Sequence, residues 1–330
     1  MKILVTGGCG YIGSHTVVDL LNDGLEVVIV DNLVNSKRDV LEKIKKITGK
    51  CVTFYEYDLC DMEKLDSIFE KESISAVIHF AGLKAVGESV SIPLKYYQNN
   101  LTGTINLLLC MQKYNVKKII FSSSATVYGN PKTLPIKEDF PLSTTNPYGT
   151  TKLMIETILK DLYQSDNSFD ITILRYFNPI GAHKSGLLGE DPNGIPNNLM
   201  PYIVKVATGK LPVLNIFGAD YKTVDGTGVR DYIHVLDLSY GHMLALKNKK
   251  TGLKIYNLGT GKGTSVLELV TMFETVNKVK INKKIVGRRE GDIDACYASC
   301  SLAERELGFK CRYTLEDMCL DSYNYVKNNN

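Results

Sequence analysis

The sequence predicts an α/β protein, a doubly wound parallel sheet followed by a smaller C-terminal α/β domain, and three observations predict it. From residue 2 to residue 118, short β-branched runs alternate with longer stretches of helical periodicity, the habit of parallel strands covered by helices on both faces. A glycine-rich turn joins the first strand to the first helix. The chain has 330 residues and is 44% hydrophobic, enough for a sizeable core and about two structural units.

Strands are expected at 2–6, 26–30, 53–57, 76–80 and 118–122. Between the first two, Ile12, Thr16, Val17, Leu20 and Leu21 recur at helical spacing, and the pattern stops at Asn22-Asp23-Gly24, residues suited to a helix C-terminus. A helix at 147–163 and a sixth strand at 170–175 follow. Regular alternation then gives way to a polar segment at 181–198 that reads as a functional loop, since loops of that length inside a compact protein are either disordered or part of a binding site. Past it, Ser265 with Glu268, Ser301 with Glu304 and Thr314 with Asp317 fit the spacing of capped helix starts, so the C-terminal part is ordered and largely helical. The terminal Asn328-Asn329-Asn330 is expected to fray. Residues 1–178 form the first domain on this reading, with some later segments returning to it, and 179–330 the second.

Composition narrows the function. With 39 basic against 36 acidic residues, no field of one sign is available to follow a nucleic-acid backbone. The lysine clusters at 43–46, 247–250 and 278–284 are short and read as solvated surface. The first residues carry too short an apolar run for a secretory segment, and no later stretch reaches the ~18 apolar residues of a membrane span. Eight scattered cysteines without a CxxC pair indicate neither zinc nor a disulfide framework. A cytoplasmic protein with reduced thiols and no metal is expected.

The turn after the first strand reads Thr6-Gly7-Gly8-Cys9-Gly10-Tyr11-Ile12-Gly13. Glycines at 7, 10 and 13 let the backbone turn tightly, approach a pyrophosphate and pack the helix on the sheet, while the helix N-terminus faces the phosphates. Asp31 closes the second strand 18 residues after Gly13, placed to accept hydrogen bonds from an adenosine ribose and to repel a 2′-phosphate. The following Asn32-Leu33-Val34-Asn35 offers no arginine to neutralise one. A Rossmann-type site for NAD rather than NADP is expected.

Tyr148 and Lys152 stand four apart on the helix entered through Asn146-Pro147, hence on one face. About 24 residues upstream, Phe121-Ser122-Ser123-Ser124 ends a strand at the sheet edge where α/β proteins place ligands. A phenol must drop from about 10 to near neutrality to act as a base, which takes about 4 kcal/mol of preferential stabilisation of the phenolate. The Lys152 ammonium and an oxidised nicotinamide can supply it, and Ser124 can orient a substrate hydroxyl. The chemistry implied is hydride abstraction from a carbinol. His79 and Cys9 read as packed residues.

These residues resemble the extended short-chain dehydrogenase/reductases, and the resemblance spans nearly the whole chain. It is carried by TGGCGYIGSHT from Thr6, HFAGLKAVGES from His79, FSSSATVYG from Phe121, YFNPIGAH from Tyr176, EDPNGIPNNLMPYI from Glu190, DGTGVRDYIHV from Asp225 and GRREGD from Gly287. The resemblance implies Ser124, Tyr148 and Lys152 as the catalytic trio. It places Gly7, Gly10, Tyr11, Ile12, Gly13, Asp31, Asn32, Asn35, Asp58, Leu59, Phe80, Ala81, Gly82, Lys84, Asn99, Ser122, Tyr148, Lys152 and Tyr176 around tightly bound NAD. It gives a nucleotide sugar Lys84, Ser124, Ala125, Thr126, Tyr148, Asn178, Asn197, Asn198, Leu199, Asn215, Ile216, Phe217, Arg230, Arg289, Asp292 and Cys296. The activity implied inverts C4 of a UDP-hexose, converting UDP-galactose and UDP-glucose through a 4-ketose that turns over between hydride removal and return. A homodimer through helices near 93–114 and 147–163 is implied as well.

Two departures from the family pattern stand out. Thr150 occupies a position where relatives often carry lysine, on the side of the helix away from Tyr148 and Lys152. Cys296 stands where members restricted to glucose and galactose carry a tyrosine, which implies room for the acetamide of UDP-GlcNAc and UDP-GalNAc. Two other readings compete. A nucleotide-sugar 4,6-dehydratase would need an acid/base pair where this chain has Ala125-Thr126, and a non-catalytic NAD-sensing scaffold would have no need of an intact Ser/Tyr/Lys set.

Overall fold

The computed structural model describes residues 1–192, 196, 198–289 and 292–329. In chain order the first elements are β1 (Lys2–Thr6), α1 (Tyr11–Asn22), β2 (Glu26–Val30), α2 (Val40–Thr48), β3 (Thr53–Tyr55), α3 (Met62–Lys71), β4 (Ala76–His79), α4 (Val86–Ser91), α5 (Pro93–Tyr97), α6 (Gly103–Lys113), β5 (Lys118–Ser124), α7 (Pro147–Ser165) and β6 (Asp170–Tyr176). Then follow β7 (Asn178–Ile180), α8 (Leu199–Ala207), β8 (Leu214–Phe217), β9 (Val229–Arg230), β10 (Tyr232–His234), α9 (Val235–Lys247) and β11 (Leu253–Leu258). The chain ends with β12 (Thr264–Ser265), α10 (Val266–Asn277), β13 (Lys283–Val286), β14 (Ala295–Cys296), α11 (Ser301–Leu307) and α12 (Leu315–Asn328).

Two compact units divide the chain: Met1–Gly129, Pro141–Arg175 and Ser239–Tyr256 make one, and Asn130–Phe140, Tyr176–Leu238 and Asn257–Asn330 the other. A seven-stranded sheet of order β11-β6-β5-β4-β1-β2-β3 organises the first. Its pairs β1–β2, β1–β4, β2–β3 and β4–β5 are parallel, with Thr6 opposite both Val30 and His79. The α/β sheet is thus the one the alternating pattern predicts. Both faces are packed: Val28, Val77, Ile119 and Ile171 from the strands meet Leu65, Leu107, Met111, Ile155 and Leu159 from the helices in one buried cluster, and Ile3, Val5, Ile29, Ile78 and Ile120, which alternate with them onto the opposite face, are fully buried too. Burial on both faces explains why these strands read as continuous apolar runs rather than alternating ones.

Several bounds differ from expectation. β3 and β4 stop short, β5 runs on to Ser124, and α7 runs to Ser165. The second unit carries helices α8, α10, α11 and α12 with two- to four-residue strands, around a core of Met200, Ile203, Leu214, Leu269, Phe273 and Met318. Ser265 and Thr314 each form a complete capping box, with Glu268 and Asp317 respectively. Ser301 does not cap: the cap residue of α11 is Cys300, with no side-chain hydrogen bond. Nor does the C-terminus fray up to Asn329, because α12 extends to Asn328 and the Asn329 amide donates to the Gly186 and Tyr325 carbonyls at 2.8 and 2.7 Å. Asn330 lies outside the described residues.

Candidate functional site

The first unit gathers its polar residues at the C-terminal ends of β1, β2, β4 and β5. At the β1–α1 turn, Gly7 adopts φ +69°, and a Cβ there would lie 2.8 Å from the Ala81 nitrogen. A Cβ on Gly13 would lie 2.3 Å from the Gly7 carbonyl oxygen. Both positions therefore tolerate only glycine, and together with Gly10, the uncapped first residue before α1, they leave a shallow cradle of backbone N–H groups. Asp31 is buried, accepting from the Cys9 N–H at 3.0 Å and from the Leu33 N–H and Ser36 hydroxyl at 2.9 Å each. Its carboxylate is thus fixed beside the turn. Tyr11 and Ile12 open α1, half-buried, whereas Asn32 and Asn35 are exposed. The Asn32 amide donates to Asp58 at 2.8 Å, joining the loops after β2 and β3, with Leu59 buried next to it.

The loop after β4 contributes Phe80, Ala81 and Gly82, all half-buried, and an exposed Lys84. Asn100 ties this loop down. Its side chain accepts from the Leu83 N–H at 2.8 Å and donates to the Leu83 carbonyl at 3.1 Å and the Thr151 hydroxyl on α7 at 3.0 Å. Asn99 precedes it in a π-helical turn at Gln98–Thr102 and donates to the Asn100 side chain. Sequence reading named Asn99 and missed Asn100, whose role rests on partners 17 and 51 residues away. His79 is packed as expected, bonded to Thr6 at 2.7 Å and Thr104 at 2.9 Å, and burial with Lys152 nearby pushes its titration down to about 3, so it is neutral.

Helix α7 begins with Asn146 accepting from the Gly149 N–H at 2.8 Å and Pro147 in its first turn, which places Tyr148 and then Lys152 on the face toward β5. The buried Lys152 ammonium donates to the Ser122 carbonyl at 2.7 Å and lies 4.9 Å from the Phe121 ring centre. Desolvation brings Lys152 down to about 8, while Glu156 works in the opposite direction. For Tyr148, burial raises the phenol and the Ser124 hydroxyl lowers it, with a net rise. In the protein without a dinucleotide, desolvation outweighs the Ser124 hydrogen bond at this phenol. Thr126 donates to the Ser124 hydroxyl through its N–H and its hydroxyl at 3.2 and 3.0 Å, so Ser124, Ala125 and Thr126 form one turn. Thr150 turns to Thr144 and the Asn146 carbonyl, away from the Tyr/Lys face.

The second unit collects the remaining candidates. Arg230 on β9 donates to the Val229 and Ile293 carbonyls at 2.8 and 3.0 Å and lies 3.6 Å from Asp292. Arg289 contacts Asp292 at 3.1 Å and sits 5.0 Å from the Phe217 ring centre. Two guanidinium groups thus share one carboxylate, a local cationic excess suited to a diphosphate, with an aromatic face alongside. Phe217 ends β8, which also holds Asn215 and the buried Ile216. The Asn215 Oδ1 is buried with no partner among the described residues. Asn198 donates to Glu190 at 2.7 Å just before Leu199 starts α8, Asn178 is exposed on β7, and Tyr176 is buried. Cys296 on β14 pairs with Arg230 in parallel register and is half-buried, its thiol raised to about 11 by burial. Asn197 lies outside the described residues. Among the described residues no cluster of three or more His, Cys, Asp or Glu could hold a metal, and no helix is long and apolar enough to cross a membrane.

Comparison with known proteins agrees with this geometry. A family model described as GDP-mannose 4,6 dehydratase matches residues 4–322. The UDP-glucose 4-epimerase of Bacillus subtilis (strain 168) is 61% identical over 331 residues, covering 100% of this chain and 98% of its own. Among solved structures, the UDP-glucose 4-epimerase of Bifidobacterium longum in complex with NAD+ and UDP superposes with TM-score 0.97 at 54% identity, covering 100% of this chain and 99% of that one. The UDP-Glc/GlcNAc 4-epimerase of Campylobacter jejuni follows at TM-score 0.87 and 36% identity, covering 99% of each chain. Within the nucleotide-sugar enzymes that the family model describes, and within the extended short-chain dehydrogenase/reductases more broadly, this chain belongs to the UDP-glucose 4-epimerases.

Proposed function

We propose that the protein interconverts UDP-galactose and UDP-glucose by oxidation at C4 of the hexose, turnover of the 4-ketose and reduction from the opposite face. The observation that carries this reading is the alignment, on adjacent strands β1, β4 and β5, of the glycine turn, the loop held by Asn100 and the Ser124–Tyr148–Lys152 set. The glycine turn and the fixed Asp31 carboxylate fit a dinucleotide: a backbone cradle for the pyrophosphate and an acceptor for the ribose. NAD bound there supplies the hydride acceptor and donor, regenerated each turnover. Tyr148 takes the O4 proton as C4 loses hydride and returns it when C4 is reduced, the Lys152 ammonium stabilises the phenolate, and Ser124 bonds O4. The rise that burial imposes on Tyr148 is offset on this reading by Lys152 and by the positive charge of the oxidised nicotinamide.

Arg230 and Arg289 are assigned the diphosphate, Phe217 the uracil face, and Asn178, Asn197, Asn198, Leu199, Asn215, Ile216 and Asp292 the remaining nucleotide and sugar edges. Cys296 leaves the sugar C2 side open, so UDP-GlcNAc and UDP-GalNAc are substrates as well. A dehydratase is disfavoured because the turn after Ser124 carries Ala125 and Thr126, with no carboxylate to eliminate water. An NAD-sensing scaffold is disfavoured by the complete proton-transfer set.

A homodimer is supported by apolar side chains left exposed on α4 to α7: Val90, Ile92, Leu94, Ile105, Leu109 and Met154. Such a patch on neighbouring helices suits a second copy of the chain. Eight free cysteines support a cytoplasmic setting, and the near-balanced charge argues against a nucleic-acid partner.

The test is incubation of the purified protein with UDP-galactose deuterated at C4. UDP-glucose that keeps the deuterium at C4 is expected, and Tyr148→Phe should cut the rate by about 10²–10⁴-fold. Label washed into solvent, or a released 4-keto-6-deoxy sugar, overturns the reading.

A further inference from the structure

Helix α7 carries Tyr148, Lys152, Glu156 and Lys160 at four-residue spacing, one column along its face. Glu156 has no part in the reaction as described, yet it is fully buried. Its Oε1 accepts from the Ser123 hydroxyl at 2.6 Å and from Arg175 Nε at 2.9 Å, and its Oε2 accepts from Arg175 Nη2 at 2.6 Å. Arg175, on β6, is 1% exposed, donates to the Tyr128 hydroxyl at 2.8 Å and lies 4.8 Å from that ring centre. Burying such a pair costs more in desolvation than it returns over a well-packed apolar pair. Stability alone therefore does not account for its presence beneath the reacting residues.

Its position does. Ser123 is the middle of three serines at the end of β5, and successive strand residues face opposite sides. The Ser122 carbonyl holds the Lys152 ammonium, and Ser124 is the residue assigned to the substrate hydroxyl. Fixing Ser123 from behind fixes both neighbours. Tyr128 closes the turn that carries Thr126, the donor to Ser124, so Arg175 reaches the same strand end from its other side.

Resting on the epimerase reading above, we propose that Glu156, paired with Arg175, is a positioning residue for proton transfer: it locks the end of β5 onto α7 and balances the charge behind Lys152 so that the ammonium persists. The groups around Lys152 allow this. His79 on β4 is neutral, and Tyr148 and Glu156 lie one turn away on α7. Tyr96 on α5 is an un-ionised phenol bonded to Glu88. Beyond Glu156 stand Arg175 on β6 and Lys160, the latter 3.8 Å from the carboxylate. Glu156 is the carboxylate that contacts both of these cations.

The experiment follows kcat against pH for UDP-galactose conversion in the NAD-loaded enzyme. Glu156→Gln leaves the Arg175 charge uncompensated, so the alkaline limb is expected to move down by about one pH unit. The double variant Glu156→Gln/Arg175→Met removes both charges and is expected to return the limb to its original position. Ser123→Ala keeps the charges and cuts only the tie to the strand; it should lower kcat about tenfold with KM and the limb unchanged, and it serves where Glu156→Gln fails to fold. An unshifted limb in Glu156→Gln, or full activity in Ser123→Ala, overturns the proposal. A wild-type protein inactive at every pH would instead remove the epimerase reading on which it stands.

Discussion

Lys152 Nζ donates to the carbonyl oxygen of Ser122 at 2.7 Å, so the cation next to Tyr148 is pinned to the strand two residues before Ser124. Desolvation lowers this ammonium to about 8. On the proposed reading, Lys152 is charged below that value and supports the phenolate, and above it the support is lost. kcat/KM should therefore fall on the alkaline side with an apparent value near 8. Lys152→Arg keeps a charge at every accessible pH, so it should flatten that limb while lowering the plateau, because a planar fork does not match one carbonyl acceptor. A pH–rate series on both proteins checks this.

Gly13→Ala places a methyl 2.3 Å from the Gly7 carbonyl oxygen and 2.9 Å from Gly8 Cα, both backbone atoms that cannot move aside cheaply. A loss of about 1–3 kcal/mol is expected, with a lower Tm and loss of NAD on gel filtration. Gly87→Ala, which meets nothing within 4 Å, is the control and should retain cofactor.

Cys296→Tyr fills the position beside Arg230 with a phenol. Conversion of UDP-GlcNAc should fall at least about tenfold in kcat/KM while UDP-galactose stays within a few-fold, the scale expected from steric exclusion of one substituent. Parallel assays with the two substrates read the ratio. Equal losses would show that Cys296 fills a gap in the fold rather than setting the substrate range.

Leu94 on α5 is 80% exposed, so the isolated chain gains almost nothing from it. On the proposed homodimer, Leu94→Glu should halve the mass measured by light scattering and leave the Tm of a dilute sample within a few degrees. An unchanged dimer would place the interface elsewhere.

Much of this architecture was legible in the chain. The glycine turn, Asp31 and the Asn146-Pro147 helix start are local signals, as are the caps at Ser265 and Thr314, and each lies where its spacing placed it. Ser301 failed because the same spacing also occurs one residue inside a helix, where the side chain cannot reach back to cap it. The strands of two to four residues in the second unit carry too few positions to display a period. Asn100 and the Glu156–Arg175 pair stayed invisible for a different reason. Their meaning lies in contacts across 17 to 51 residues, and neither residue type announces its partners.

The chain passes between its two compact units at residues 129, 140, 175, 238 and 256. Helix α9 and strand β11 are themselves cut by that division, the first four residues of α9 lying with the second unit. A single crossover in the gene therefore cannot exchange one unit for that of another protein. Cuts at 238 and 256 would divide α9 and β11, and a cut at any one crossing leaves each unit incomplete, so the two units have to be engineered together.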